Sequence, residues 1–261
     1  MPSVTSPARP DDTGLDADAD WSFARRPFWL FSHAFALSVV FLFVVLGFWQ
    51  LSRHEERKAS NAVIAERLAA EPLEIATVDD LEGDPADFDY RPVSVSGTFV
   101  DDDFVRVVNR SQGGVAGEYV AGVVELPDGS LVAVNRGFVP SNADPAIRPA
   151  PDGVATVTGW LRPSVDKGRL GADDTGRGDL VPRMNTDDLA ARLGRELPPL
   201  WVQVSSEGPL AGGSTAQFPD PVPLPELDDG PHLGYAAQWF IFATLGVLFY
   251  GALLRRNSRT R

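Results

Sequence analysis

The chain contains three histidines, His33, His54 and His232, and the residues spaced around two of them could hold a cofactor. At the helical angle of about 100° per residue, His232, Tyr235, Ala236, Trp239, Ala243 and Gly246 fall within one arc of roughly 100°. That face places an imidazole and two aromatic rings beside small residues. A neutral imidazole is a good ligand for haem iron, and aromatic walls suit a porphyrin plane. His232 is therefore the candidate metal ligand, flanked by Tyr235 and Trp239. The same residues would also make an aromatic belt at a membrane surface, anchored by a histidine. The small residues would equally suit packing on the helix of a partner. A second arc of similar width carries Gln50, Arg53, His54 and Arg57, whose arginines would pair with haem propionates or with lipid phosphates. His33 lies about 20 residues, roughly 30 Å, along the helix from that end. It cannot share an iron with His232, and it reads as a polar residue packing against a neighbouring helix.

Other chemistries are poorly served. A Ser-His-Asp triad needs a histidine among soluble residues, and all three histidines stand in or at the ends of apolar runs. No GxxxxGK[ST] loop is present to cradle nucleotide phosphates. Asp173-Asp174 and Asp187-Asp188 read as solvated turn and helix-start residues. With no cysteine, disulfides, thiolate zinc sites, iron–sulfur clusters and a cysteine nucleophile are excluded. Two methionines argue against a copper carrier, and a net charge of −13 argues against nucleic acid. No enzymatic activity is expected.

Two elements must position the candidate residues. Phe28–Ser52 and His232–Leu254 contain no Asp, Glu, Lys or Arg. Each is about 23–25 residues long, beyond the roughly 20 needed to cross a bilayer. Arg25 and Arg26 precede the first run, and Arg255, Arg256, Arg259 and Arg261 follow the second. Basic residues near span ends set topology, so both termini are expected in the cytoplasm of a multi-pass protein of the bacterial plasma membrane. The expected divisions are an acidic, flexible cytoplasmic tail over 1–26, a first span over 27–52, an extracytoplasmic α+β domain over 53–231, a second span over 232–254, and a basic cytoplasmic tail over 255–261.

The intervening segment reads mainly as strands. Arg53 to about Ala70 lacks Pro and Gly and should extend the first helix, until Glu71-Pro72 ends it. Arg91–Val100 alternates in period two, and after Asp101–Asp103 the pattern resumes over Phe104–Asn109. Tyr119–Leu126 and Leu131–Val139 flank a Pro127–Ser130 turn, with further strands at Val154–Leu161 and Leu200–Val204. A short helix is expected over Asp187–Leu193, with Thr186 as N-cap and Gly194 as the stop. Lys167–Gly178 reads as an exposed loop, and Pro219–Pro225 as an extended return toward the second span. The fold class is an α+β membrane protein, with two transmembrane helices flanking one outward-facing, mainly antiparallel domain, an open sheet or a small barrel.

Four motifs carry a resemblance. Leu46–Arg53 (LGFWQLSR), followed by Lys58, is similar to the LGxWQLxR motif that closes the first span in the surfeit locus protein 1 family. Pro92–Phe99 (PVSVSGTF) resembles the first strand of that family, and Val134–Pro140 (VNRGFVP) its VNRGWVP motif. His232–Phe240 (HLGYAAQWF) is similar to the HLxYAxQWF opening of its second span. Together they cover about a quarter of the chain, in order. Phe138 departs from the usual tryptophan, keeping an aromatic wall without an indole donor. The resemblance implies an assembly factor for haem–copper cytochrome c oxidase that receives haem a from its synthase and helps place it in the catalytic subunit. His232 would be the iron ligand, with Tyr235, Trp239 and His54 near it, and Arg53 and Arg136 would contact propionates or a partner. The alternative is a membrane scaffold that docks on the nascent oxidase subunit and binds no cofactor.

Overall fold

The computed structural model describes residues 21–100, 104–141, 150–165, 178–206 and 219–259. The acidic tail before Trp21, Asp101–Asp103, Asp173-Asp174, nearly all of the Lys167–Gly178 loop, and Arg261 lie outside the described residues. The helices are α1 (Pro27–Leu68), α2 (Pro85–Phe88), α3 (Thr186–Leu193) and α4 (His232–Arg259). The strands are β1 (Leu73–Ile75), β2 (Pro92–Phe99), β3 (Val105–Gln112), β4 (Val115–Glu125), β5 (Leu131–Pro140), β6 (Val154–Pro163), β7 (Leu180–Val181) and β8 (Leu200–Ser206). The chain divides into a helical unit, up to Ala59 and from Asp228, and a β unit, Ser60–Leu227.

In the helical unit α1 and α4 run antiparallel. His33 meets Tyr250, Phe43 meets Trp239 at a ring separation of 5.5 Å, and the Phe240 ring lies over Gly47. Both helices are long and apolar enough to cross a membrane. Their outer faces carry open apolar side chains, Phe31 at 72% exposure and Phe249 at 72% among them. As expected from the run of helix formers without Pro or Gly, α1 continues beyond Ser52 to Leu68.

The β unit holds a mixed sheet of eight strands in the order β1-β2-β6-β8-β5-β4-β3-β7. A further pairing of β2 with β4, through Thr98↔Glu125 and Phe99↔Val124, joins β2, β6, β8, β5 and β4 into a closed ring. The period-two alternation of β4, β5 and β8 serves two cores. Val124, Val132, Val134, Leu200 and Val202 join Val93, Val95, Val157 and Leu161 in one, drawn from the ring strands. Val123, Leu131, Ala133 and Trp201 face the other way, where Leu189 of α3 and Met184 cover them. Strand β5 is consequently buried on both faces from Leu131 to Val139. Each such Val or Leu contributes about 1.5–3 kcal/mol relative to exposure.

One expectation is refined and another corrected. The sheet is mainly antiparallel, as expected, through β2–β4, β2–β6, β3–β4, β4–β5 and β6–β8, but it is mixed, because β1–β2, β3–β7 and β5–β8 pair in parallel. Turn spacing predicts hairpins between sequence neighbours, but β8 reaches β5 only after β6, β7 and α3 have intervened. Asn185, not Thr186, caps α3, its Oδ1 accepting from the Asp188 amide at 2.7 Å. The Thr186 amide is instead taken by Ser164 Oγ at 3.0 Å, which leaves Thr186 as the first helical residue. Gly194 ends the helix in a left-handed conformation, φ 64°, as expected.

Candidate functional site

The turn before α4 delivers His232 to α1. Asp228 Oδ1 accepts from the Gly230 amide at 3.0 Å, and the Arg57 Nε–H donates to the Asp228 carbonyl at 3.2 Å. A second contact, Arg57 Nη2 to Asp228 Oδ1 at 3.7 Å, adds charge attraction. Gly230 takes φ +69°, which an L side chain rarely adopts, and Pro231 then leads into the helix. The helix opens with the Tyr235 amide donating to the Pro231 carbonyl at 3.2 Å.

Anchored this way, the His232 imidazole lies against α1 with Nδ1 2.9 Å from Gln50 Oε1. A Cβ on Gly230 would stand 3.3 Å from His232 Cδ2 and 3.4 Å from Nε2. Gly230 therefore lies close beside the Cδ2–Nε2 edge of the ring, where a side chain would be crowded. Tyr235 is about half exposed, and Trp239 is half-buried, tilted against Phe43 and edge-on to Phe242.

The other expected site residues are distributed differently. Arg53 is exposed and ion-paired with Glu56 at 2.7 Å. His54 is buried, and its Nδ1 has no hydrogen-bond partner among the described residues. Its helix face also carries Gln50 and Arg57, which hold the two ends of the Asp228–His232 segment. Ala236 and Ala243 are buried, and a Cβ at Gly246 would stand 3.3 Å from Val40. Gly246 thus meets α1 of the same chain, and Ala236 and Ala243 are covered on the same helix face, the close helix pairing that small residues permit.

Arg136 belongs to the β unit. The β4–β5 register shifts between Val120, opposite Gly137, and Ala121, opposite Asn135, so Arg136 is the extra residue of a β-bulge. Its side chain is buried, with the guanidinium 5.5 Å from the centre of the Phe99 ring. Asn135 secures the bulge: Nδ2 donates to Gln203 Oε1 at 2.9 Å, and Oδ1 accepts from the Gly137 amide at 3.1 Å. Gly137 at φ 144° lets the chain approach Asp220, whose amide and carbonyl bridge Phe138 at 2.8 and 2.7 Å.

Haem a, the group the resemblance implies, fits the donor set at His232. One ring nitrogen is engaged by Gln50, and the other has no hydrogen-bond partner among the described residues. A single imidazole nitrogen is what axial ligation of haem iron requires. Among the described residues no group of three or more His, Asp or Glu side chains could cage a bare metal ion. Gln50 is the site residue that sequence reasoning passed over. It stood in the arc with Arg53 and His54, but its pairing with a residue 182 positions away has no local signal.

A model of the SURF1 family matches residues 37–244, from within α1 to within α4. The chain is 30% identical over 253 residues to a SURF1-like protein of Mycobacterium tuberculosis, covering 92% of this chain and 88% of that one. It is 26% identical over 246 residues to a SURF1-like protein of Monosiga brevicollis, covering 86% and 88%. A SURF1-like protein of Dictyostelium discoideum shares 28% identity over 99 residues, 36% of this chain and 37% of that one. The chain belongs to the SURF1 family, known generally as cytochrome c oxidase assembly factors.

Proposed function

We propose that this protein handles haem a during assembly of a haem–copper oxidase, holding the cofactor at His232 for placement in the catalytic subunit. The observation that carries the reading is the His232 imidazole, fixed through one nitrogen to Gln50 and with no hydrogen-bond partner among the described residues at the other, in a chain of this family. When bound, haem a would supply an iron able to accept the imidazole lone pair. The remaining roles belong to the chain. His232 binds, Tyr235 and Trp239 line the flank, and the Arg57–Asp228 contact fixes the turn that presents the histidine. Arg53 and His54 stand one turn beyond Gln50 on α1 and are proposed to meet the polar edge of the cofactor. Arg136 is proposed to shape the β unit through its bulge. Beyond that coordination no bond would be made or broken in this role, which would need no catalysis.

The reading places α1 and α4 across a bacterial plasma membrane. Arg25 and Arg26 at one end of α1, and Arg255, Arg256 and Arg259 at the end of α4, would face the cytoplasm, and the β unit would lie outside. The open apolar side chains of both helices support burial in lipid. Its partners would be the catalytic oxidase subunit, a haem a synthase and the bilayer itself. The test is complementation in cells lacking the chain, read as haem a absorbance in membranes and capture of the catalytic subunit. The wild type should restore both. The His232→Ala protein should capture the subunit without restoring haem a. Full restoration by that variant contradicts the reading, and loss of capture alone makes the protein a docking scaffold.

A further inference from the structure

Gln50 and His232 meet at 2.9 Å, carboxamide oxygen to Nδ1, and this geometry has a consequence for the whole imidazole. A carbonyl oxygen accepts and cannot donate, so Nδ1 must carry the proton. In a neutral ring the lone pair then resides on Nε2. Nε2 is also the nitrogen that no described residue engages by a hydrogen bond. Free histidine in water favours the opposite tautomer, with the proton on Nε2, which would turn a donor toward any incoming metal. Metal-bound histidines commonly donate their second N–H to an oxygen acceptor, which fixes ring orientation and raises ligand basicity.

The two partners are rigidly mounted. Gln50 lies on the continuous helix α1, one turn from Gly47, where the Phe240 ring packs, and His232 is the first residue of α4. The Arg57–Asp228 contacts hold the chain on the other side. Gln50 is thus part of a fixed acceptor and not a side chain that happens to lie near.

We infer that Gln50 is the positioning residue of the His232 site, holding the imidazole as the Nδ1–H tautomer so that Nε2 presents its lone pair to the iron of haem a. This rests on the haem-handling reading for its ligand, while the tautomer itself can be measured without haem. In the haem-free full chain in micelles, labelled with nitrogen-15 histidine, His232 should show a protonated Nδ1 and an unprotonated Nε2. The Gln50→Leu protein should shift toward protonated Nε2. A protonated Nε2 in the wild type would overturn the inference whatever haem does.

Titration with ferric haem a gives the second readout. Gln50→Leu should weaken binding about 10- to 100-fold, the usual effect of removing a partner of a metal-bound histidine. Gln50→Glu should recover the affinity and lower the haem reduction potential, because a carboxylate draws the Nδ1 proton more strongly. Wild-type affinity in Gln50→Leu, or no recovery in Gln50→Glu, would also overturn the inference. Unchanged haem affinity in His232→Ala instead removes the haem reading, and the tautomer measurement still judges Gln50.

Discussion

The Tyr250 hydroxyl lies 2.7 Å from His33 Nδ1, tying α4 to α1 far from the His232 end. His33 Nε2 lies 3.2 Å from the Ala24 carbonyl, which can only accept, so Nε2 donates there, and the Tyr250 hydroxyl also reaches Ser32 Oγ at 3.2 Å. Polar contacts between membrane helices couple by about 0.6 kcal/mol on average and up to about 1.7 kcal/mol. A double-mutant cycle of His33→Ala and Tyr250→Phe, read by reversible unfolding of the full chain in micelles, should return a coupling in that range. Strict additivity would show that the contact does not hold the helices together.

At Gly137 the backbone itself sets the residue type. Its φ of 144° is strained for any L side chain, and a Cβ would fall 2.2 Å from the Asp220 carbonyl oxygen. The strain alone costs about 1–3 kcal/mol. Gly137→Ala should therefore lower the unfolding midpoint of the full chain and separate the Phe138–Asp220 bridge, seen as faster amide exchange at both residues. A midpoint equal to that of the wild type would mean the bulge tolerates a side chain.

Burial pushes the Asp89 carboxyl above its ordinary value of 3.8, against the opposing charges of Arg162 and Arg67. The Arg162 guanidinium approaches to 3.1 Å, yet neither Asp89 Oδ1 nor Arg162 Nε has a well-aligned hydrogen-bond partner among the described residues, so the pairing offsets burial incompletely. With the folded value raised, the folded state holds the proton more tightly than the unfolded chain does. Stability then falls as pH rises from about the unfolded value of 3.8 through the raised folded value, and is flat above it. Compared with Asp89→Asn, the wild type should lose stability across that window. A gain over the same range would reverse the sign of the argument.

Local chemistry made some of this visible in the sequence. The Pro127–Ser130 turn closes the β4–β5 hairpin because Asp128 Oδ1 takes the Ser130 amide at 2.9 Å, an interaction confined to three residues. Valines alternating along Pro92–Phe99 and the two long uncharged runs are likewise local patterns. The parts that stayed hidden depend on distant chain segments. Leu73–Ile75 is a strand only because it lies beside Val93–Val95, and Leu180–Val181 only because it lies beside Arg106-Val107. The near-continuous burial of β5 conceals its alternation, since both of its faces are covered. At the site, His232 was legible as an unusual residue at the mouth of an apolar run. Its partner was not, because the Gln50 contact exists only once the two helices pack antiparallel. The small residues of α4 were legible as a packing face, but not as one that α1 of the same chain meets at Gly246.

The central claim is tested most directly by the haem extracted from the detergent-purified full chain, co-expressed with a haem a synthase. The account predicts haem A in the wild-type protein and its loss from His232→Ala, with both proteins folded and membrane-inserted. Equal haem A in the two, or none in either, would contradict it.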